Sequence, residues 1–248
     1  YGANWADYDN DGHLDLIIVR SSQSSQSSLF FRNQGDGTFL DITSSSLPNE
    51  PDEAAAWGDY DNDGFLDLFL TTSQRNHLYR NNGSSNHWIK VKLVGSVSNR
   101  SAIGAKVRVK ATIAGKTFWQ MREISTSGGF GKADMRPNFG LGDAKVAETI
   151  RVEWPSGTVQ EFHNVPAKQI LTITEPPKLV AEGFSRIGDR VGFQFHLIGA
   201  VGRRYRVEIS SNLRDWQTWA TIASKKRSTY LNQASSFSSW NFFRVIQE

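Results

Sequence analysis

Hydrophobic and polar residues alternate along much of this chain, and polar loops separate the alternating segments. The clearest alternating segments lie at 87–93, 106–110, 149–154, 191–197 and 205–209. A period of two with β-branched residues on one side is typical of half-buried antiparallel strands. The pattern therefore predicts an all-β chain.

An acidic segment occurs twice in the first third of the chain, at 5–15 and at 57–67. Both copies read Trp-x-Asp-Tyr-Asp-Asn-Asp-Gly-x-Leu-Asp, and each leads into a short apolar run with strand character, at 16–19 and 68–70. A second motif repeats as well, because Phe-Arg-Asn at 31–33 recurs as Tyr-Arg-Asn at 79–81. The first copy is longer by a serine-rich run at 21–28, whose composition predicts an exposed loop. The chain thus contains an internal repeat with an acidic loop between strands.

The crowded aspartates of the repeat indicate a bound cation. Carboxylates this close repel each other by about 1 kcal/mol per pair even in water. Hard oxygen ligands at alternate positions, followed by a turn glycine, suit Ca²⁺. The predicted ligands are the side chains of Asp7, Asp9, Asp11, Asp15, Asp59, Asp61, Asp63 and Asp67, with the backbone carbonyls of His13 and Phe65. A catalytic carboxylate pair is the alternative, but catalysis needs two different environments whereas this motif is duplicated.

The repeated segment resembles the FG-GAP or VCBS repeat, and both copies match at all four aspartates and at the glycine. The resemblance implies blades of an integrin-α-like seven-bladed β-propeller, with Ca²⁺ in the aspartate loop. Two repeats cannot close a propeller, because each blade leaves an apolar face for its neighbour. We expect the missing blades upstream of Tyr1, with an oligomer as the alternative, and assign residues 1–86 to a partial propeller.

Residues 87–176 resemble the ASPIC/UnbV domain, which commonly follows such repeats in bacterial and cartilage-type secreted proteins. The match depends on Asn-His-Trp at 86–88, Ile-Gly-Ala-Lys-Val at 103–107, Phe-Gly-Leu-Gly at 139–142, Val-Glu-Trp-Pro-Ser-Gly at 152–157 and Leu-Thr-Ile-Thr-Glu at 171–175. We interpret Gly104, Gly140 and Gly142 as residues that permit special backbone conformations.

The Pro-Pro pair at 176–177 predicts a domain break. Beyond it, residues 177–248 resemble a small fibronectin-like module, on the basis of 205–211, Leu213, Trp216 and the closing Phe-Arg-Val. The expected fold is therefore a partial β-propeller of two repeats followed by two antiparallel β-sandwich domains.

Charge is distributed unevenly along the chain. The formal charge is −9 over 1–86, +6 over 87–175 and +6 over 176–248. Basic clusters at 203–206 and 225–227 leave open a polyanion or nucleic-acid ligand, although solvated surface side chains are the simpler interpretation.

Composition excludes several other classes. The chain has no cysteine, which rules out disulfides and thiolate metal sites, and it has no apolar run long enough to span a membrane. Because the sequence begins at Tyr1 close to the first acidic loop, we expect missing upstream sequence that includes a signal peptide.

Signatures of catalysis are missing from the sequence. The five histidines lack metalloprotease spacing, Gly115-Lys116-Thr117 has no leading glycine for a phosphate loop, and no Gly-x-Ser-x-Gly occurs. The sequence therefore predicts a non-catalytic, calcium-binding recognition or adhesion protein, secreted or on the cell surface, with a glycan or protein ligand. An enzyme or accessory factor of secondary metabolism, with its active site outside this segment, stays open as the alternative.

Overall fold

The computed structural model describes residues 2–20, 28–43, 52–72, 75–126, 134–187, 190–226, 228–234 and 242–248. Over these ranges the regular structure is a set of β-sheets in which most strand pairs are antiparallel, which confirms the predicted all-β class. The exception is the pair formed by 87–94 and 169–174, which runs parallel, with hydrogen bonds from the Lys168 amide to the Trp88 carbonyl and from the Glu175 amide to the Val94 carbonyl. Most of the serine-rich run (21–27) and the last residue of the 225–227 basic cluster lie outside them.

The two acidic repeats form one sheet each. The first contains β1 (Gly2–Ala6), β2 (Asp15–Val19), β3 (Leu29–Asn33) and β4 (Phe39–Asp41), and the second contains β5 (Asp52–Gly58), β6 (Asp67–Thr72) and β7 (His77–Tyr79), each in chain order. The acidic loops connect β1 to β2 and β5 to β6, the same position in both sheets.

A shared apolar core holds the two repeat sheets together. It is formed by Ile17, Val19, Phe30, Ala55, Leu68 and Leu70. Burial of several branched side chains, at about 1.5–3 kcal/mol each, gives this pair of sheets its cohesion. The extension of this pair of sheets into a propeller stays a prediction.

The next segment forms two sheets, one of four strands and one of three. Its strands are β8 (His87–Val94), β9 (Lys106–Ile113), β10 (Lys116–Glu123), β11 (Asn138–Gly142), β12 (Val146–Glu153), β13 (Val159–Pro166) and β14 (Gln169–Thr174). The strand orders are β10-β9-β12-β13 and β11-β8-β14. In β9 the alternate residues Val107, Val109 and Ala111 are buried, as the sequence pattern predicts. Strand β11 differs because all five of its residues are buried, so both of its faces are covered.

The last segment forms two sheets as well, each of three strands. Its strands are β15 (Lys178–Ile187), β16 (Arg190–Ile198), β17 (Arg204–Ser210), β18 (Gln217–Ala223), β19 (Ser228–Ala234) and β20 (Phe242–Gln247), in the orders β15-β16-β19 and β18-β17-β20. The rings of Phe195, Trp219 and Phe243 pack against one another between these sheets, with centroids 4.4–5.9 Å apart.

The chain divides into two compact units that do not follow sequence order. Tyr1–Lys92 joins Ile103–Ile173, and Leu93–Ala102 joins Thr174–Glu248. Within the second unit, one carboxylate oxygen of buried Glu175 accepts hydrogen bonds from the backbone amides of Ser96, Val97 and Ser98, at 2.9, 2.8 and 2.6 Å. The domain boundaries near 86 and 176 stay predictions.

Candidate metal centres

Each acidic loop is folded by its own innermost aspartate. Asp7 Oδ2 accepts a hydrogen bond from the Gly12 amide, and Asp59 Oδ2 accepts one from the Gly64 amide, both at 3.0 Å. The two turn glycines have φ of +94° and +92°, in the left-handed region that glycine tolerates best. The duplicated sequence therefore produces two loops with the same internal geometry.

Three of the four aspartates in each loop come together. One carboxylate oxygen from each lies within 4.8 Å of the others, in the groups Asp7, Asp9 and Asp15, and Asp59, Asp61 and Asp67.

The remaining aspartates, Asp11 and Asp63, stand outside these groups. Asp11 Oδ1 accepts the His13 amide and Asp63 Oδ1 accepts the Phe65 amide, each at 2.9 Å, so both aspartates brace the turn. A ligand role for these two aspartates, and for the carbonyls of His13 and Phe65, stays a prediction.

The innermost carboxylates are buried and only partly satisfied. Asp7 is 1% exposed and Asp59 is 3% exposed. In the part of the chain that the structure describes, Asp7 Oδ1 and Asp59 Oδ1 have no hydrogen-bond partner. A buried carboxylate oxygen without a partner is costly, and an oxygen-rich group of this kind is what Ca²⁺ prefers. The donor set therefore fits a hard divalent cation.

Burial and mutual repulsion dominate the electrostatics of the first loop. Burial, followed by repulsion from Asp11, raises the pKa of Asp7 well above its usual range. Burial also raises the pKa of Asp15 to about 7. Both directions show that negative charge is unfavourable here without a cation.

An arginine from the neighbouring strand contacts each loop. Arg32 Nη2 lies 2.8 Å from Asp9 Oδ2, and Arg80 Nε donates to Asp61 Oδ2 at 2.8 Å. The hydrogen bond from Arg80 lowers the pKa of Asp61. Sequence reasoning noted that this arginine recurs but gave it no role, although its recurrence in both copies was the available signal.

The asparagine after each arginine hydrogen-bonds to the last aspartate of its loop. The backbone amides of Asn33 and Asn81 donate to Oδ1 of Asp15 and Asp67, at 2.9 and 2.8 Å. Asn81 Nδ2 also donates to the carbonyl of Tyr8 at 2.7 Å and so connects the two repeats.

The first loop packs against β11. The Gly140 amide donates to Asp7 Oδ2 at 3.1 Å, and Asn138 Nδ2 donates to Asn10 Oδ1 at 2.8 Å. A Cβ atom at Gly140 would lie 2.1 Å from Asp7 Oδ2 and 2.4 Å from the Asn10 carbonyl carbon. Gly140 is therefore required by the close approach of the loop, whereas Gly104 and Gly142 do have positive φ as interpreted from sequence.

The second loop packs against β8. Lys90 Nζ lies 2.5 Å from Asp59 Oδ2, and the lysine side chain is fully buried. A Cβ atom at Gly64 would lie 1.7 Å from Trp88 Cε2. Sequence reasoning missed Lys90, because the alternating pattern of 87–93 predicts an outward-facing lysine while the strand is buried on both faces from Trp88 to Val91.

Arginines of the basic cluster at 203–206 lie close to glutamates. Arg206 Nε lies 3.0 Å from Glu208, and Arg204 Nε lies 3.8 Å from Glu248. A polyanion ligand for these clusters stays a prediction.

Comparison with known families confirms both main resemblances. Residues 7–70 match the FG-GAP-like repeat, and residues 95–180 match the family described as ASPIC and UnbV. Two separate stretches of the chain are therefore similar to these two families. The fibronectin-like assignment of 177–248 stays a prediction.

The chain is also similar to named proteins. It is 28% identical to human cartilage acidic protein 1 over 184 residues, which covers 68% of this chain and 27% of that protein. The mouse protein of the same name is 30% identical over 166 residues, covering 61% and 25%. The chain thus spans about a quarter of the length of these relatives.

Structural comparison and hydropathy add two further findings. A solved tetra-tandem repeat from the extending region of a large adhesion protein aligns over 100% of this chain and 73% of that one, at 9% identity and a TM-score of 0.17, too low to indicate a shared fold. Within the described ranges, no helix has the length and apolar character needed to cross a membrane.

Proposed function

We propose that this chain is a calcium-binding part of an extracellular recognition or adhesion protein, in which Ca²⁺ has a structural and non-catalytic role. The proposal depends on one observation. In both loops Oδ2 of the innermost aspartate accepts hydrogen bonds. Its other oxygen, Oδ1, is buried and has no hydrogen-bond partner among the described residues. A cation in each loop supplies the missing partner.

The charge and chemistry of the loops favour calcium over other cations. All the clustered side chains are carboxylates, and the described acidic groups contain no histidine. Such a set is hard and oxygen-only, whereas zinc and copper sites favour nitrogen or sulfur ligands. Asp7, Asp9 and Asp15 would hold the first ion, with the corresponding aspartates of the second loop around the second.

A structural role follows from where the loops lie. Both pack on the ASPIC/UnbV sheets through Gly140 and Lys90, so an ion there stabilises the packing between repeats and sandwich. The two repeated loops have the same internal hydrogen bonds, whereas paired catalytic carboxylates need different environments. These features favour a structural role for the ions, and the proposed ligand of the scaffold is a glycan or a protein.

Two arguments support the extracellular assignment: the calcium concentration that such loops need and the similarity to known proteins. Extracellular calcium modules typically have dissociation constants of about 10⁻⁴–10⁻³ M, which suits external rather than cytosolic calcium. The FG-GAP-like match and the similarity to cartilage acidic protein 1 support the same location.

Thermal unfolding with and without calcium tests the proposal. Wild type and the double variant Asp9→Ala/Asp61→Ala are heated in EDTA and in millimolar Ca²⁺. Because a ligand that binds only the native state stabilises it, we expect calcium to raise the Tm of wild type and to leave the double variant unchanged.

The matched control is Asp36→Ala/Asp41→Ala, which removes two exposed aspartates of the first repeat outside the loops. It should keep the full calcium response. A wild type whose Tm does not change with calcium, or a double variant whose Tm still rises, would contradict the proposal.

A further inference from the structure

The two loops differ at the partner of the innermost aspartate. In the first loop Asp7 Oδ2 receives a second hydrogen bond from an uncharged donor, the Gly140 amide at 3.1 Å. In the second loop Asp59 Oδ2 receives it from a cation, the ammonium group of Lys90 at 2.5 Å. Near-identical loops thus meet different charges on the sandwich surface.

Lys90 is held where it is by the fold. Its side chain is completely buried in β8, and Asp59 is its nearest carboxylate, with Asp134 Oδ2 more distant at 3.9 Å. A buried ammonium group with one close carboxylate cannot leave that carboxylate without a large desolvation cost. Lys90 therefore stays beside Asp59 whether or not a metal ion is bound.

The other nearby cations do not remove this difference. Arg32 contacts Asp9 and Arg80 contacts Asp61 at the same distance of 2.8 Å, so each loop has one such arginine. Each innermost aspartate also has an arginine that acts on it through space, Arg122 on Asp7 and Arg136 on Asp59. Direct contact between a sandwich ammonium group and the innermost aspartate distinguishes the second loop.

We propose that Lys90 is an internal cation that partly replaces calcium in the second loop, so that the first loop binds Ca²⁺ more tightly. Since the ammonium charge repels an incoming divalent cation and occupies one oxygen of Asp59, it weakens binding there. The first loop is then the one that responds to low calcium. This inference rests on the proposed function, because it presumes that the loops bind Ca²⁺.

Single-loop variants measure the difference without altering Lys90. Asp61→Asn disables the second loop and Asp9→Asn disables the first, and each removes the carboxylate that contacts the local arginine. Calorimetric titration of the whole chain with Ca²⁺ should give a dissociation constant at least about tenfold lower for Asp61→Asn than for Asp9→Asn.

The direct test removes the ammonium group. In the Asp9→Asn background, Lys90→Met should tighten Ca²⁺ binding by at least about tenfold, because the repulsive charge is gone. The matched control is Lys92→Met, which removes an exposed lysine from the same strand and should leave the affinity unchanged. If Lys90→Met does not fold, the comparison of the single-loop variants decides.

The outcomes separate the two claims. Equal affinities for the two loops, or no tightening in a folded Lys90→Met variant, would overturn the inference and leave the proposed function intact. If wild type binds no Ca²⁺ at all, both are overturned.

Discussion

Two glycines with the same φ allow the packing of the second loop on the sandwich to be measured. Gly64 and Gly37 both have φ of +92°, so an alanine at either position enters the left-handed region, at a cost of about 1–2 kcal/mol. At Gly37 an added Cβ would meet no atom within 4 Å. At Gly64 it would lie 1.7 Å from Trp88 Cε2 and 2.2 Å from Cδ2 and Cζ2. Gly37→Ala is therefore a control for Gly64→Ala.

The magnitude follows from the packing of Trp88. The indole is 7% exposed and therefore enclosed by neighbouring atoms. Overpacking of this kind costs about 1–3 kcal/mol and sometimes more. We expect Gly64→Ala to reduce the free energy of unfolding by at least about 2 kcal/mol more than Gly37→Ala.

Urea unfolding in saturating Ca²⁺, followed by tryptophan fluorescence, gives both values. Gly64→Ala should also weaken binding of Ca²⁺, because the displaced loop carries Asp59, whereas Gly37→Ala should not. Equal losses of stability in the two variants would show that the loop does not pack on Trp88, and would refute the reasoning.

Three further predictions test other parts of the structure. Asn81→Ala should cost about 1 kcal/mol more than Asn33→Ala in urea unfolding, because only Asn81 also bonds to the Tyr8 carbonyl; equal costs would contradict this link between repeats. Glu175→Ala should lower the free energy of unfolding by about 3 kcal/mol, because three backbone amides lose their acceptor; a change near zero in chemical denaturation would contradict it. Burial raises the pKa of Asp15 to about 7, above its value of 3.8 when unfolded, so in EDTA stability should fall by up to about 4 kcal/mol as the pH rises from 4 to 7. The gain from calcium should grow over the same pH window, and denaturation curves with the opposite trend would contradict the assignment.

The acidic loops were predictable from sequence because their geometry is local. Hydrogen bonds such as Gly12 amide to Asp7 span five residues, and the same spacing occurs in the second copy. The duplicated motif therefore indicated both the turn and the clustered aspartates. Alternation along the loop does not say which carboxylates face one another, and Asp11 and Asp63 lie outside the two groups of aspartates.

The contacts that distinguish the loops depend on tertiary structure. Lys90 lies 31 residues from Asp59 in sequence, and Gly140 lies 133 residues from Asp7. A period of two predicts one buried face, but β8 and β11 are covered on both faces because the loops pack on them. The Phe-Gly-Leu-Gly motif is one of those behind the ASPIC/UnbV resemblance, while the close approach of Asn10 and Asp7 explains why Gly140 has no side chain.

The central claim is that each loop binds one Ca²⁺ through its innermost aspartate. Equilibrium dialysis of the chain against radioactive calcium, raised from about 1 mM until binding saturates, counts the bound ions directly. The account predicts two ions per chain for wild type, one for Asp7→Asn or Asp59→Asn, and none for the double variant. A saturating count of one ion or none on wild type, or an unchanged count in a folded double variant, would contradict it.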